Sequence, residues 1–353
     1  MAGGADSSSS AAKRAKVEAA NRDELLRKLP AELWSKILDE NLHPNDLPAL
    51  AMTCRFFREK QKDLGKKLET NLNAYRLLKL RESGKVASHT LGWFRWVCDT
   101  FEIQPGLRIL YKRVKGAVYE SDLLNYAALQ ASVEILRWLV EEKGWEMNRR
   151  TGNGRGRPKL AGRGVDTGEW AGRGGSMEVL EYMRGKGYEF DAGVCAWAAR
   201  GGCLEALKFL RGLDPPCPWD EDACAFAAQG GHLDVLKWLR GQDPPCPWYG
   251  GTCAYAASEG HLEVLKWLRD QDPPCPWNWR TCGWAAEGGH LDVLKWARSE
   301  DPPCPWRRSG CRATASRRGY QHIIDWIDQR EDESDVEYSD TDRSYDSYSD
   351  DYF

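Results

Sequence analysis

The sequence predicts an all-α solenoid, and three observations indicate that fold class. First, the hexapeptide Asp-Pro-Pro-Cys-Pro-Trp occurs four times between residues 214 and 306, at a constant step of 29 residues. Second, a cysteine and a Gly-His pair keep the same step, at Cys195, Cys224, Cys253, Cys282 and Cys311 and at Gly231–His232, Gly260–His261 and Gly289–His290. Third, each repeat holds two short stretches with a helical pattern. A fixed period between about 20 and 50 residues is typical of stacked supersecondary units.

One repeat, residues 252–272, shows why its helices must stack. Cys253–Glu259 is a run of small residues that favours a helix and stops at Gly260. His261–Arg269 places four apolar side chains on one side at helical spacing, Leu262, Val264, Leu265 and Leu268. Asp272 precedes a proline and therefore ends that helix. Isolated helices shorter than about 12 residues are marginal in water, so we expect neighbouring repeats to cover their apolar faces.

The stretch Ala256–Lys266 resembles the core of the ankyrin repeat, and it recurs at 227–237 and 285–295. Weaker copies occur at 126–139, 170–180 and 198–208, and a polar copy at 319–326 would close the array. The resemblance implies an ankyrin-type helical solenoid of about seven units over residues 119–327. The ankyrin period is about 33 residues and includes a β-hairpin. Here Pro-Pro-Cys-Pro-Trp replaces the hairpin, and it predicts an extended connector whose tryptophan folds back as a packing anchor.

Charge and composition bound the class of protein. The net charge is −3, but residues 331–353 hold ten acidic side chains and one arginine, −9 in all, which leaves +6 for the rest. There is no apolar run long enough to span a membrane and no signal-peptide pattern, so we expect an intracellular monomer, cytoplasmic or nuclear. We expect its cysteines to be thiols, because equivalent cysteines on adjacent repeats would lie about 8–10 Å apart.

Both ends of the chain are predicted to be disordered. Residues 1–21 are rich in Ser and Ala and lack a core pattern. Lys13–Lys16 resembles a short nuclear-import signal, and a solvated basic patch is the alternative. Residues 328–353 form an acidic tail in which Ser334, Ser339 and Ser347 resemble acidophilic-kinase sites. A tail that serves only solubility is the alternative there.

Residues 22–80 predict a small helical module before the solenoid. Leu29–Leu38 and Asn45–Phe57 have amphipathic patterns, with Pro30 suited to a first helical turn and Asp46 to a cap. These residues resemble an F-box, which implies binding to the Skp-type adaptor of a cullin–RING ubiquitin ligase. The resemblance assigns the adaptor face to Leu29, Pro30, Leu33, Ile37, Leu38, Leu47 and Leu50. The alternative is a helical cap that packs on the repeats.

Two further segments separate this module from the regular repeats. Residues 81–118 form a degenerate helical junction, with an amphipathic helix predicted over Thr90–Thr100 and a basic one over Leu107–Tyr119. Residues 149–164 hold six basic and no acidic side chains among glycines, which favours a flexible loop. Within it Arg155–Lys159 resembles the core of an AT-hook, so Arg155, Arg157 and Lys159 are possible contacts to the minor groove of DNA. A plain Gly/Arg loop is the alternative.

Metal and catalytic sites are not predicted. Cys217, Cys224 and His232 recur together with the period, but six and seven intervening residues do not match a known zinc module. Packed thiols explain that periodicity, and the tryptophans Trp238, Trp267 and Trp296 are interpreted as solenoid core. No nucleophile–base pair or phosphate-binding loop stands out. We therefore expect no catalytic residues, no metal and no cofactor, and so no enzyme.

The residues that vary between repeats predict where a partner binds. After each hexapeptide they are Asp220, Glu221 and Asp222, then Tyr249, then Asn278, Trp279 and Arg280, then Arg307 and Arg308. In repeat proteins, variable residues along one edge of a fixed framework mark a recognition surface. Sequence drift in a redundant array is the alternative. A second variable set is Arg200, Gln229, Ser258–Glu259 and Glu287.

The predicted function is non-catalytic protein–protein recognition, and through the F-box-like module the chain would be a substrate receptor of a ubiquitin ligase. One alternative is an ankyrin scaffold without a ubiquitin link. Another is a nuclear factor that associates with DNA through the basic loop, residues 149–164.

Overall fold

The computed structural model describes residues 89–100, 103–104, 118–147 and 166–330. The chain divides into two compact units, Met1–Tyr126 and Ala127–Phe353. Several predicted features lie outside the described residues: the segment 1–21, the F-box-like module with its adaptor face, the basic loop at 149–164, and the tail from residue 331 onward.

The first unit contains helix α1 at Leu91–Thr100, which confirms the helix predicted there. Phe94 and Val97 on this helix are fully buried. Strands β1 (Ile103–Gln104) and β2 (Val118–Tyr119) form a parallel pair in which Ile103 is opposite Val118. The basic helix predicted to run to Tyr119 is therefore wrong at its last two residues, because their backbone groups pair with β1. Helix α2, Glu120–Leu129, follows β2 directly.

The second unit is a series of helix pairs. Helix α3 (Val133–Arg137) continues into a π-helical turn at Trp138–Glu142. Six pairs then follow in chain order, each with a first and a second helix. They are α4 Thr167–Gly174 and α5 Met177–Gly185, α6 Ala192–Arg200 and α7 Leu204–Arg211, α8 Glu221–Gln229 and α9 Leu233–Arg240, α10 Gly250–Ser258 and α11 Leu262–Arg269, α12 Trp279–Gly288 and α13 Leu291–Ser299, and α14 Arg308–Arg318 and α15 Gln321–Asp328.

Small side chains let the first helices stack closely. In α8 the residues from Ala223 to Gln229 are all buried, and five of these seven are alanine or cysteine. The first helices pack on one another in the order α4, α6, α8, α10, α12, α14. The second helices bury one stripe each, which in α9 is Val235, Leu236 and Leu239. The prediction of a helical solenoid is confirmed for the described part of the second unit, and the array is all-α there.

A glycine in the left-handed conformation joins the two helices of each regular pair. Gly231, Gly260 and Gly289 have φ of 76°, 77° and 86°. Glycine adopts this conformation without the steric cost that a Cβ brings. At Gly231 a Cβ would also lie 2.6 Å from Cε1 of His261 in the next repeat. The glycine therefore serves both the turn and the contact between repeats.

The end of the array is one residue later than predicted. Helix α15 extends to Asp328, so the tail boundary at residue 328 falls inside a helix. Its apolar side chains Ile323, Trp326 and Ile327 are buried, and the helix packs on α14 of its own pair. None of the helices in the described ranges is long and apolar enough to cross a membrane.

Candidate recognition surface

The variable rim consists of Asp220–Asp222, Tyr249, Asn278–Arg280, Arg307 and Arg308. The structure places each group at the N-terminal end of a first helix: α8, α10, α12 and α14 in turn. Because these four helices pack in that order, the groups follow one another along one edge of the stack. Glu221 is exposed and the other rim residues are half-buried. The edge is acidic at α8 and basic at α14.

Part of this rim also holds the helix ends. The Asp220 carboxylate accepts a hydrogen bond from the Asp222 amide at 3.1 Å, and the side-chain amide oxygen of Asn278 accepts one from the backbone amide of Arg280 at 3.0 Å. Such caps satisfy backbone donors that the helix leaves open. Arg308 Nε donates to the Ile327 carbonyl at 3.3 Å, which joins α14 to α15. Asp220, Asn278 and Arg308 therefore stabilise the helices, in addition to the role in partner binding that the sequence predicts for them.

Trp279 is the centre of the basic end of the rim. The guanidinium of Arg307 lies 3.9 Å from the centre of its ring, and that of Arg280 lies at 5.3 Å. Guanidinium groups bind the negative face of an indole ring, and the contact holds both arginines near one spot. Two adjacent first helices therefore place positive charge around one half-buried aromatic ring.

The sequence analysis did not identify a row of aromatic side chains on the first helices, although its last four members follow the 29-residue period. The row is Trp170, Trp197, Phe226, Tyr255 and Trp284, with successive ring centres 6.0, 5.6, 6.1 and 5.0 Å apart. The first four are buried and Trp284 is half-buried. Tyr249 of the rim packs against this row. Aromatic pairs of this kind add about 0.5–1.5 kcal/mol each beyond burial, so the row stiffens the face that carries the rim.

The second variable set lies at the C-terminal ends of the first helices. Its backbone carbonyls are contacted by the histidines of the next repeat, at 3.1 Å for His232 with Arg200, His261 with Gln229 and His290 with Ser258. Because a backbone carbonyl is present on every residue, these side chains can vary while the contact remains. The pKa of His232 is lowered, chiefly because burial disfavours its charged form.

Three connector tryptophans, Trp219, Trp248 and Trp277, are half-buried and pack on the second helices, whereas the fourth, Trp306, is fully buried. Trp219 meets Trp238 edge to face with ring centres 6.0 Å apart, and Trp248 meets Trp267 at 6.4 Å. The interpretation of Trp238, Trp267 and Trp296 as solenoid core is therefore wrong, since all three are half-buried beside a connector tryptophan. The core stripe of each second helix is made by the aliphatic residues on its other side.

An arginine completes each of these contacts. Arg240 Nη1 donates to the Cys246 carbonyl at 2.6 Å, and its guanidinium lies 3.9 Å from the Trp248 ring centre. Arg269 does the same with Cys275 at 2.7 Å and with Trp277 at 4.1 Å. The connector tryptophan does fold back as the sequence predicts, and the arginine that holds it there was not foreseen.

The two sets of repeated cysteines, one on the first helices and one in the connectors, lie next to each other in the structure. The Cys195 and Cys217 sulfurs are 3.4 Å apart, and Cys224 and Cys253 lie 3.8 and 3.9 Å from the carbonyl oxygens of Cys246 and Cys275. Hydrogen bonding within each pair and burial raise the pKa of Cys195, Cys246, Cys253 and Cys282. No group of three or more Cys, His, Asp or Glu in the described ranges is arranged to hold a metal ion.

The segments on either side of residues 148–165 are tied together. Lys186 forms an ion pair with Glu141 at 2.7 Å, and the Tyr182 hydroxyl donates to Glu141 at 3.4 Å. Burial, followed by the nearby Glu141 carboxylate, raises the pKa of Tyr182 to about 12. The π-helical turn before the basic loop is thus joined to the end of helix α5 after it.

Comparisons with known proteins add little to this geometry. No protein-family model matches the sequence, and no curated protein matches it. The chain is similar to the pentatricopeptide repeat protein PPR10 in two solved complexes with an 18-nt psaJ RNA element, one of them with three cysteine-to-serine substitutions. In both comparisons the identity is 13%, the TM-score is 0.33, and the match covers 87% of this chain and 43% of the other. The chain thus spans less than half of that protein's length, and so low a similarity transfers neither a fold nor a partner. The class of protein, a helical repeat solenoid, follows from the packing of its own helices.

Proposed function

We propose that this chain is an ankyrin-type repeat protein that recognises a protein partner through the variable rim and performs no catalysis. One observation carries the proposal: the framework contacts recur from repeat to repeat, while the side chains at the N-terminal ends of the first helices change from acidic to basic. The recurring contacts are the histidine-to-carbonyl bond and the arginine–tryptophan stack.

Helix stability explains only half of this charge pattern. Acidic side chains at the start of α8 complement the positive end of its helix dipole. Basic side chains at the starts of α12 and α14, Arg280, Arg307 and Arg308, oppose that dipole. Their cost to the helices favours a role in binding, and the gradient suits a partner that is basic at one end and acidic at the other.

The rim is tested with a displayed library of random peptides, selected on the full chain. Ligands that bind the rim carry basic residues that face Glu221 and acidic residues that face Arg307. We expect Arg280→Glu with Arg307→Glu to weaken the selected ligands at least tenfold. The matched control is Lys237→Glu with Lys266→Glu, which makes the same charge change on exposed sites of second helices. Equal losses in both double variants would contradict the proposal.

The F-box resemblance leads to a finer proposal, that the chain delivers its partner to a ubiquitin ligase as a substrate receptor in the cytoplasm or nucleus. Purified full chain is mixed with a Skp-type adaptor, beside a Leu33→Asp, Ile37→Asp double variant. We expect binding that the double variant loses. No binding by either protein would leave the alternative, a scaffold that uses the same rim without a ubiquitin link.

The DNA hypothesis has its own test, because it depends on the loop at 149–164 and not on the rim. Deletion of that loop would abolish salt-sensitive binding to AT-rich duplex DNA if Arg155, Arg157 and Lys159 enter the minor groove. A full chain that does not bind such DNA at low salt would exclude this function.

A further inference from the structure

Two sets of repeated cysteines, one on the first helices and one in the connectors, point to a modification site that uses no side chain of the rim. Each regular repeat has one cysteine on a first helix and one in the connector that follows it 22 residues later. The pairs are Cys195 with Cys217, Cys224 with Cys246, Cys253 with Cys275, and Cys282 with Cys304. All eight side chains are buried and reduced.

The connector cysteine is held in place by three backbone contacts, shown here for Cys246. Its amide donates to the Leu239 carbonyl at 3.1 Å, and its thiol donates to the Asp220 carbonyl at 3.4 Å. Its own carbonyl accepts from Arg240 at 2.6 Å. Cys217, Cys275 and Cys304 make the same three contacts in their repeats. The connector is therefore fixed beside the first helix, and in the first of these repeats the Cys195 and Cys217 sulfurs lie 3.4 Å apart.

Simple filling of space does not require this pairing. The aromatic row beside it changes from Trp197 to Phe226, Tyr255 and Trp284, yet both cysteines are kept in all four repeats. A buried thiol acts as a small apolar group, and alanine or valine can fill a comparable volume. What two facing thiols add is the ability to form a bond with each other.

We propose that the four facing pairs are sites of intramolecular disulfide formation, each of which links a connector to the preceding first helix. The oxidant is a low-molecular-weight disulfide such as glutathione disulfide. The thiolate of one cysteine attacks it and releases one glutathione thiol; the thiolate of the second then attacks the mixed disulfide and releases another. The pair loses two protons and two electrons, and glutathione disulfide is reduced to two thiols.

The surroundings of each pair control when this reaction occurs. Hydrogen bonding to the paired cysteine and burial raise the pKa of Cys195, which keeps its sulfur protonated in the closed repeat. Only the thiolate attacks a disulfide, so the closed array reacts slowly. Local opening, or folding in an oxidising medium, exposes both sulfurs to the oxidant. Closure of a 22-residue loop then constrains the unfolded chain and stabilises the array.

The test is refolding of the full chain with glutathione disulfide, followed by mass spectrometry of the intact chain before alkylation and then by alkylation and peptide mapping. Four bonds remove eight hydrogens, so we expect a loss of about 8 Da and an unfolding temperature raised by about 5 °C or more over the reduced chain. Peptide mapping should find only the four pairs named above. Cys246→Ala should reduce the loss to about 6 Da, and Cys311→Ala should leave it unchanged, since Glu333 stands 22 residues after Cys311.

If Cys246→Ala fails to fold, peptide mapping of the disulfides in the unaltered chain still tests the proposal. Three results would overturn the proposal. First, alkylation could show that all thiols of the refolded chain are still free, although the unfolded chain forms disulfides under the same conditions. The cross-links could join cysteines of different pairs, such as Cys217 and Cys246. The oxidised chain could melt at a lower temperature than the reduced one.

Discussion

Replacement of Arg240 by leucine should destabilise the array far more than removal of another positive charge from the same helix. Arg240 lies at the end of α9, donates to the Cys246 carbonyl at 2.6 Å and stacks on Trp248 at 3.9 Å. A hydrogen bond from a charged group contributes about 1.5–3 kcal/mol. A partly buried cation–π contact adds about 0.5–1 kcal/mol. We therefore expect a loss of about 2–4 kcal/mol in the free energy of unfolding.

The central position of α8 and α9 makes this loss visible in the whole array. Each pair of a repeat protein contacts only its neighbours, so a weak central pair interrupts the stack on both sides. Urea unfolding followed by far-UV circular dichroism measures the loss. The unfolding temperature should fall by about 4–16 °C, given about 2–4 °C for each kcal/mol in a domain of this size.

Two controls separate geometry from charge. Lys237→Leu removes a positive charge from an exposed site on the same helix and should change stability by less than about 0.5 kcal/mol. Arg240→Lys keeps the charge but lacks the planar fork, so it should recover only part of the loss. If Arg240→Leu and Lys237→Leu unfold at the same urea concentration, the arginine–tryptophan contact does not hold the connector and the reasoning fails.

Two further predictions concern the turns between helices. Gly231→Ala should lower the free energy of unfolding by about 2 kcal/mol or more, because φ is 76° and the new Cβ would clash with His261. The control is Gly185→Ala on α5, whose new Cβ meets nothing within 4 Å and which should be neutral or stabilising by up to about 1 kcal/mol. Equal unfolding midpoints for the two variants would contradict this prediction. The lowered pKa of His232 predicts acid sensitivity. Its neutral form contributes fully above the unfolded pKa of about 6.5, and that contribution is lost as the pH falls toward the folded value. The free energy of unfolding should therefore fall between pH 7.5 and pH 5.5, and His232→Gln should make that fall smaller. It should not remove the fall completely, because the His232 ring also interacts with other charged or titratable groups, Asp234, His261 and Arg173.

The sequence by itself determined the repeat and its two helices, although the first helix of the type repeat starts at Gly250, three residues before the predicted Cys253. A period of 29 residues, a glycine after the first helix and a proline after the second are local signals, and the helices α8 to α13 lie where those signals place them. The sequence also located the variable rim, because a single chain with several repeats shows which positions differ between repeats and which stay the same. The rim residues come directly after each proline-rich connector, and the next first helix starts there, so their place at the helix starts can be predicted from the sequence.

Only the tertiary structure decided which side chains meet. Cys195 and Cys217 are 22 residues apart, and equivalent cysteines are 29 apart, so spacing alone does not reveal that unlike cysteines face each other. The same holds for Trp248, which stacks on Arg240 from the preceding helix and on Trp267 from the next. Such contacts depend on how a connector without regular secondary structure folds across two repeats. Helical periodicity carries no information about that path, because it describes neighbours along one helix only.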